Sequence, residues 1–347
     1  MKGVRAVALL SGGLDSTLAV RLVQDQGIEV RALHFYTGFC ITEHKRRLGL
    51  KREDGQHYVN PALKAAAQLR VPLEVVDISE DYYRIVLNPK FGYGKNVNPC
   101  IDCRIHMLRK AKEIMERDGY HFVVTGEVLY QRPMSQTPER LKLIEREAGL
   151  EGYVLRPLSA KVLPPTVPEI RGWVDREKLL GIRGRSRKVQ IALAQRFGLE
   201  YEQPAGGCCY LTDENYAERF REAFEVEGSV SREDLLLLAV GRHLRLPSGL
   251  KLIVARNEGE VRFLRNFTNR YSYAQRRDGK GTLALIKGTP AEEELQIIAD
   301  IVARYSKREA TEVYLKLGNR ELVLTGRPVE DDLIEPFKIY HRQGVAG

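Results

Sequence analysis

The residues with the clearest chemical meaning are Ser11-Gly12-Gly13-Leu14-Asp15-Ser16, which lie between an apolar segment and a helical pattern. Glycines let a backbone approach a phosphate closely, and the first turn of a helix offers unpaired N–H groups. The serine hydroxyls add donors, and the Asp15 carboxylate suits a Mg²⁺ ion that bridges phosphates. The segment lacks the lysine and the spacing of a Walker A motif. It therefore predicts a phosphate-binding loop of another type.

A second group with chemical meaning is formed by cysteines. Cys100-Ile101-Asp102-Cys103 precedes a helical pattern, and Cys208-Cys209 follows more than a hundred residues later. A CxxC pair with one distant cysteine can bind three irons of a 4Fe–4S cluster. Four thiolates can instead close a Zn²⁺ site, or a thiol at a helix N-terminus can carry a persulfide. The spacing alone leaves these alternatives open, and Cys40 is expected to be a packing residue.

Alternating strands and helices must position these groups. Apolar segments at 4–10, 30–35, 73–77 and 121–125 are typical of buried strands, and helical patterns occupy 15–26, 60–69 and 105–117. This alternation predicts an α/β fold with a doubly wound parallel sheet. Ligands of such sheets bind at the carboxyl ends of the strands. The turns at 11–16 and 125–136 are therefore the expected site.

The chain of 347 residues is too long for a single core and predicts three parts. We expect the α/β domain at 1–165 and a helical, basic extension with the third cysteine at 166–228. A smaller α+β domain is expected at 229–347, with strands at 250–255, 282–286, 312–317 and 321–325 and a helix at 292–304.

Composition excludes several classes of protein. With 43% hydrophobic and 29% charged residues, the chain is not predominantly disordered. No apolar stretch approaches the roughly 20 residues of a membrane-spanning helix, and no signal peptide is recognisable. A cytoplasmic protein without a membrane partner is expected. The net charge of +9 favours a polyanionic partner.

Basic residues concentrate in the C-terminal part of the chain. Residues 242–287 contain 11 Lys or Arg and only 3 Asp or Glu, interleaved with Phe263, Phe267, Tyr271 and Tyr273. Cations with exposed aromatic rings can bind RNA phosphates and stack on bases. A solvated basic face over an aromatic core is the alternative. The predicted contacts are Arg242, Arg245, Arg276 and Arg277, with the run Arg183, Arg185, Arg187 and Lys188 as a second candidate.

The Ser-Gly-Gly-Leu-Asp-Ser loop resembles the pyrophosphatase loop (PP-loop) of the N-type ATP pyrophosphatases, enzymes that adenylate a substrate oxygen. His34-Phe35, Arg104, the stretch from Thr125 to Gln131 and Ser135-Gln136 are similar to segments of the tRNA 4-thiouridine synthetases. The resemblance implies ATP and Mg²⁺ as cofactors. It implies these ATP contacts: Leu10, Ser11, Gly12, Gly13, Asp15, Ser16, His34, Phe35, Arg104, Gly126 and Gln136.

The cysteine segments resemble those of the bacterial 2-thiouridylases, which implies that Cys103 and Cys209 are catalytic together with Asp15. Cluster-bearing thiolation enzymes have a further cysteine where this chain has Cys100. The implied metal ligands are Cys100, Cys103 and Cys209, with Cys208 as the alternative third ligand. Residues 239–258 resemble an NFACT-type RNA-binding module.

Together these resemblances imply an ATP-dependent tRNA sulfurtransferase that makes thiouridine, with a cysteine desulfurase or inorganic sulfide as sulfur donor. Another adenylating enzyme, of the lysidine-forming or amidating kind, is the first rival. An RNA-binding protein with a structural zinc–cysteine site is the second. The position of sulfur, C2 or C4, stays open.

Overall fold

The computed structural model describes residues 3–201, 209–306 and 309–340. The chain forms two units, one made of Met1–Arg46 and Tyr58–Cys209 and the other of Arg47–His57 and Tyr210–Gly347. The division at residues 165 and 228 stays a prediction. We find no helix in the described ranges that is long and apolar enough to cross a membrane.

The N-terminal unit alternates strands and helices along the chain. Its strands are β1 (Arg5–Leu9), β2 (Glu29–Tyr36), β3 (Leu73–Asp77), β4 (Phe122–Val124) and β5 (Val154–Leu155). Its helices are α1 (Leu14–Gln24), α2 (Ile41–Arg47), α3 (Pro61–Leu69), α4 (Ser79–Leu87), α5 (Cys100–Asp118), α6 (Pro138–Ala148), α7 (Val167–Ile170) and α8 (Lys188–Phe197).

The five strands form one parallel sheet in the order β3-β2-β1-β4-β5, so the predicted α/β fold is confirmed. Central β1 is almost fully buried because apolar clusters cover both faces of the sheet. The strand order reverses between β1 and β4. The loops that follow these two strands therefore open at the switch point, where doubly wound sheets bind ligands.

Helix α5 begins at Cys100, five residues before the helical pattern that the sequence suggested. Pro99 is its N-cap residue and Gly119 ends it in the left-handed conformation, with φ at 69°. The longer helix places both cysteines of the CxxC pair in its first turn. Helices α4 and α6 were not predicted.

The C-terminal unit surrounds an antiparallel sheet in the order β11-β10-β8-β9-β7-β6. Its strands are β6 (Arg242–Arg245), β7 (Lys251–Val254), β8 (Ser272–Arg276), β9 (Leu283–Lys287), β10 (Thr311–Leu317) and β11 (Arg320–Gly326). Its helices are α9 (Glu214–Glu227), α10 (Arg232–Leu237), α11 (Glu258–Arg265), α12 (Glu292–Ser306) and α13 (Asp331–Ile334). This separate sheet domain confirms the second half of the fold prediction.

Strand β8 was not predicted because its sequence, Ser-Tyr-Ala-Gln-Arg, lacks a run of apolar residues. Only Ala274, at its centre, is fully buried in the cluster that β7, β9 and α12 build. Tertiary pairing with β9 and β10 therefore determines this strand, whereas its own propensity contributes little.

Candidate active site

The loop between β1 and α1 is closed by its own serine side chains. The Ser11 and Ser16 hydroxyls lie 3.1 Å apart, and Ser16 Oγ donates to the Gly13 carbonyl at 3.1 Å. Helix α1 starts directly afterwards, and its N-cap residue, Gly13, has no side chain to cap the first amides of the helix. The first amides of the helix are thus left for a ligand, as an anion site at a helix N-terminus requires.

Two glycines allow close backbone packing at this loop. Gly12 has φ at +81°, and a Cβ placed there would lie 2.2 Å from the Pro61 carbonyl carbon. A Cβ on Gly126 would lie 2.5 Å from the Ser16 amide nitrogen. The loop after β4 therefore packs directly on the backbone of the predicted phosphate-binding loop. This brings two of the predicted ATP-contacting segments together.

The carboxylate of Asp15 points into this junction. Gln131 donates from Nε2 to Asp15 Oδ2 at 2.6 Å. The other oxygen, Oδ1, is buried and has no hydrogen-bond partner within the described ranges. A buried carboxylate oxygen without a donor suits a cation. The residues present therefore fit the Mg²⁺ ion that the sequence analysis expected.

His34 and Phe35, at the carboxyl end of β2, have different environments. His34 Nδ1 lies 3.2 Å from the Leu10 carbonyl, to which the ring donates. Burial lowers the pKa of His34 below 6.5, so the ring is neutral at pH 7 and Nε2 is an acceptor. Phe35 is buried in the apolar cluster that covers one face of the sheet. Its surroundings are those of a core residue.

A buried ion network lies beside Arg104, on α5. Glu127 accepts a hydrogen bond from Arg156 Nε at 3.0 Å and another from Thr125 Oγ1 at 3.0 Å. Burial opposes ionisation of Glu127, but Arg156 and Arg104 outweigh it and keep its pKa below the usual value. Arg104 Nε lies 3.8 Å from Glu127 Oε1. Arg104 is therefore within ion-pair distance of Glu127, although Glu127 Oε1 accepts no hydrogen bond within the described ranges.

Three of the predicted metal ligands surround one tyrosine. Tyr82, on α4, donates a hydrogen bond to the Cys103 sulfur, and its pKa is raised well above 10.0 by burial and by Cys103, Cys209 and Cys100. A backbone bridge also joins Cys209 to Cys40. Cys208 lies outside the described residues. The structure thus brings together cysteines that are more than a hundred positions apart in sequence.

The three thiols of the described residues do not form a ready-made site for a single metal ion. In the ranges that the structure describes, no three Cys, His, Asp or Glu side chains converge on one metal position. A 4Fe–4S cluster binds each thiolate to a different iron, so its ligands need not converge on one point. Burial raises the pKa of the Cys103 thiol, although it lies in the first turn of α5. The Tyr82 hydrogen bond and the charges of Arg104 and Arg132 act in the opposite direction, and the persulfide alternative stays a prediction.

The loop after β4 contributes further polar groups. Gln136 is 3% exposed, and its Oε1 lacks a hydrogen-bond partner within the described ranges. Desolvation and the charges of Arg104 and Arg187 lower the pKa of Arg132, whereas Cys100 and Asp15 raise it. Arg132 therefore lies within electrostatic range of both the loop carboxylate and the CxxC pair.

The basic run after Gly181 lies next to the same loop. Arg183 forms a parallel bridge with Leu129, and the Gly184 amide donates to the Leu129 carbonyl at 2.7 Å. Arg185 and Lys188 are exposed, and Arg187 is half-buried. These predicted RNA contacts belong to the N-terminal unit and flank the candidate active site.

The predicted RNA contacts of the C-terminal unit differ among themselves. Arg242 stacks on the Tyr305 ring at 4.4 Å, and Arg245 is paired with Glu222 and Glu227. Arg276 is 8% exposed, and its Nε and Nη1 lack hydrogen-bond partners within the described ranges. Arg277 is exposed and 3.2 Å from a carboxylate oxygen of Glu312. Arg245 is thus committed to an internal network.

The interleaved aromatic residues of this unit are half-buried. They pack against the apolar cluster of α10, β7, α11 and β9, and they are Phe263, Phe267, Tyr271 and Tyr273. Their surroundings correspond to the aromatic core that the sequence analysis kept as the alternative, while stacking on bases stays a prediction.

Sequence reasoning missed several residues that build the site. Gln131 and Glu127 lie within the stretch from Thr125 to Gln131, so the resemblance of that stretch could have pointed to both residues. Tyr82 and Gln190 carried none, because nothing in the sequence near α4 or α8 connects them with the loop. Only the tertiary structure places them there.

Comparison with known proteins matches the two parts of the chain separately. Residues 2–161 match the family described as thiamine biosynthesis protein (ThiI). The N-terminal part of the chain is therefore similar to ThiI proteins. Residues 241–337 match the NFACT protein RNA binding domain.

Curated relatives show the same similarity. The tRNA-specific 2-thiouridylase MnmA of Geotalea uraniireducens is 25% identical over 237 residues, which are 64% of this chain and 58% of the relative. The probable tRNA sulfurtransferase of Thermus thermophilus is 30% identical over 241 residues, 68% of this chain and 50% of the relative. The chain thus spans 50% to 58% of the length of these relatives.

Among solved structures, a 4-thiouridine synthetase–RNA complex with bound ATP is 26% identical, with a TM-score of 0.33. That match covers 46% of this chain and 37% of the other.

Proposed function

We propose that the protein is an ATP-dependent tRNA sulfurtransferase that converts a uridine into a thiouridine. The observation that carries this proposal is the junction of the two loops at the switch point, where Gly126 packs on the Ser16 amide beside Asp15. The similarity of residues 2–161 to ThiI proteins supports it. So do the relatives with names that state tRNA thiolation.

In the first step, the uridine carbonyl oxygen attacks the α-phosphorus of ATP, and pyrophosphate leaves. The open amides of α1 and the serine hydroxyls can donate hydrogen bonds to the phosphate oxygens as charge moves onto pyrophosphate. Arg104, 3.8 Å from Glu127 Oε1, is the cation that we propose as a nucleotide contact. His34 is neutral at pH 7 and offers Nε2 as an acceptor.

The buried Oδ1 of Asp15 is the residue atom that would hold Mg²⁺. When bound, the ion supplies positive charge to the departing pyrophosphate. The loop itself keeps the carboxylate at the N-terminus of α1, where the helix dipole also favours negative charge.

In the second step, a sulfur nucleophile attacks the adenylated carbon, and AMP leaves with the former carbonyl oxygen. Cys100, Cys103 and Cys209 would hold a 4Fe–4S cluster, which supplies an iron site for that sulfur when bound. The sulfur comes from inorganic sulfide, or from the persulfide of a cysteine desulfurase after a thiol reductant has brought it to the sulfide level and become a disulfide. Tyr82 keeps the Cys103 sulfur in place through its hydrogen bond.

The C-terminal unit is proposed to bind tRNA, because residues 241–337 match an RNA-binding domain. Arg242, Arg276 and Arg277 are the cations of this unit that we propose as phosphate contacts. Residues Arg183–Lys188 are proposed as further phosphate contacts beside the active site.

The decisive experiment combines the anaerobically purified protein with unmodified tRNA, ATP, Mg²⁺ and sulfide. We expect AMP, pyrophosphate and thiouridine in equal amounts, with nucleoside mass spectrometry locating sulfur at C2 or C4. AMP formation without thiouridine would support another adenylating enzyme. The absence of both products, in a protein that still binds tRNA, would favour the RNA-binding alternative.

A further inference from the structure

The Asp15 carboxylate is held by a residue that lies 116 positions away in sequence. Gln131 is 9% exposed and donates from Nε2 to Asp15 Oδ2 at 2.6 Å. An ionised carboxylate can only accept hydrogen bonds. Gln131 must therefore turn its amide nitrogen toward Asp15 and its amide oxygen away from it.

The amide oxygen of Gln131 has its own donor. Gln190, on α8, is fully buried and donates from Nε2 to Gln131 Oε1 at 3.1 Å. Turning either amide over would place two oxygens, or two N–H groups, against each other. The chain Gln190–Gln131–Asp15 therefore has one favourable direction, which its own hydrogen bonds determine.

Helix α8, which carries Gln190, packs against helix α1, which carries Asp15. Its Ala194 packs in the same apolar cluster as Leu14 and Leu18 of α1, so the two helices are held together. Burying an amide at position 190 costs more than burying an apolar side chain of the same length. Packing alone therefore does not explain a glutamine there, whereas control of the Gln131 amide does.

We propose that Gln131 and Gln190 are positioning residues that hold one oxygen of Asp15 and so present the other, Oδ1, to the metal–nucleotide complex. The proposal rests on the proposed function. It adds two residues on two further elements to the machinery of the phosphate-binding loop. Neither residue needs to touch the nucleotide.

The test uses Gln131→Met, Gln190→Met and the double variant, because methionine retains the length of glutamine but neither donates nor accepts strongly. Gln195→Met, an exposed position on the same helix, is the matched control. Binding of Mn²⁺–ATP is followed by electron paramagnetic resonance without tRNA. AMP formation with tRNA is measured separately.

We expect Gln131→Met to weaken Mn²⁺–ATP binding about tenfold, the loss of one charge-assisted hydrogen bond. Gln190→Met should weaken it less, about threefold, because the Gln131 amide is then free to turn. The double variant should be no weaker than Gln131→Met, since Gln190 acts only through Gln131. Gln195→Met should bind like the unaltered protein.

Gln190→Glu gives an independent readout. Its carboxylate would draw the Gln131 amide nitrogen away from Asp15, so we expect weaker binding than in Gln190→Met at pH 8. A buried carboxyl group has a raised pKa. When it is protonated it can donate to Gln131 Oε1, so binding should recover as the pH falls toward 6. Gln190→Met should show no such recovery.

Losses that multiply in the double variant, or Gln190 variants that bind like the unaltered protein at every pH, would overturn the proposal. If the unaltered protein forms no AMP with tRNA but the binding pattern holds, the proposed function fails and the positioning role stands. If AMP and thiouridine form but the binding pattern is absent, only the positioning role fails.

Discussion

The two units leave different kinds of buried atom unsatisfied. Around the loop of the N-terminal unit, these atoms are mainly oxygens, of Asp15, Glu127, Gln136 and Gln190, with one guanidinium nitrogen, Nη2 of Arg156. In the C-terminal unit they include guanidinium nitrogens of Arg219, Arg276 and Arg304. Both statements hold for the residues that the structure describes.

Unsatisfied buried groups cost free energy, so native proteins retain few of them without a reason. An unsatisfied oxygen can be satisfied by a metal ion or by a hydroxyl or amino group. A nucleotide with its bound cation would supply all three. Donors are satisfied by phosphate oxygens. The contrast agrees with the nucleotide site proposed for the first unit and with the tRNA binding proposed for the second.

The largest effect should follow from Asp15→Asn, which removes the charge beside the unsatisfied oxygen. We expect tRNA-dependent AMP formation to fall about a thousandfold, because the stabilised charge develops only as pyrophosphate leaves. Rates of AMP release with radiolabelled ATP measure this. Asp25→Asn, on an exposed residue just after the same helix, should leave the rate unchanged. An active Asp15→Asn enzyme would contradict the assignment of the loop.

The cysteines test whether the first unit also holds a metal cluster. We expect Cys100→Ala, Cys103→Ala and Cys209→Ala each to lose iron and thiouridine formation, since each removes one thiolate ligand. ATP binding should persist, because the loop is a separate structure. Iron analysis and nucleoside mass spectrometry on the same preparations measure both.

Cys40→Ala is the matched control and should retain iron, because Cys40 meets Cys209 through a backbone bridge, which alanine can keep. A persulfide mechanism gives a different pattern. It needs a carrier and a resolving cysteine but no iron, and Cys100 would be dispensable. A fully active protein free of iron would exclude the cluster.

Several buried or half-buried charged side chains of the second unit form ion pairs with one another. Arg245, Lys251 and Lys287 pair with Glu222, Glu227 and Asp234, which joins α9 and α10 to the sheet. Arg245→Ala should destabilise this unit by about 2 kcal/mol, because Glu222 and Glu227 each lose one of the cations that donate to them. Arg270→Ala, which breaks an exposed pair with Glu233, should cost less than about 1 kcal/mol. Hydrogen exchange of the β6 and β7 amides measures both, and equal effects would contradict the buried network.

Features that depend on neighbouring residues could be predicted from the sequence, whereas contacts between residues far apart in sequence could not. The loop and β1 were predictable because apolar runs and glycines act locally. Gln190 was not, since it reaches Asp15 through Gln131 across the fold. The ion pairs of Arg245 were not predictable for a related reason. A charge count over residues 242–287 omits Glu222 and Glu227, which precede this segment in sequence. These two carboxylates pair with Arg245.

Acid should weaken the second unit through His243. Burial lowers the pKa of His243 well below 6.5, and Arg219 and Lys251 lower it further. The unfolded chain therefore binds a proton below pH 6.5 that the folded unit excludes, so stability falls as the pH drops. The expected loss is about 1.4 kcal/mol per pH unit until the folded pKa is reached. Exchange of the β6 amides at pH 5.5 and 7.5 should show this loss, and His243→Gln should abolish it. His57→Gln, at an exposed site, should not.

The smallest effect should come from Arg277, the exposed cation of the predicted RNA contacts. Its pair with Glu312 is open to water on both sides and contributes little to stability. Arg277→Gln should weaken tRNA binding roughly threefold and reduce the slope of log K against log salt by about 1. Arg320→Gln removes the same charge from β11, outside the basic segment, where Arg320 pairs with Glu292. Filter binding between 50 and 200 mM salt compares the two. If both variants lose affinity equally, tRNA binding follows net charge, and the C-terminal unit has no localised phosphate site at β8. If only Arg277→Gln does, that site lies at the end of β8, next to the unsatisfied nitrogens of Arg276.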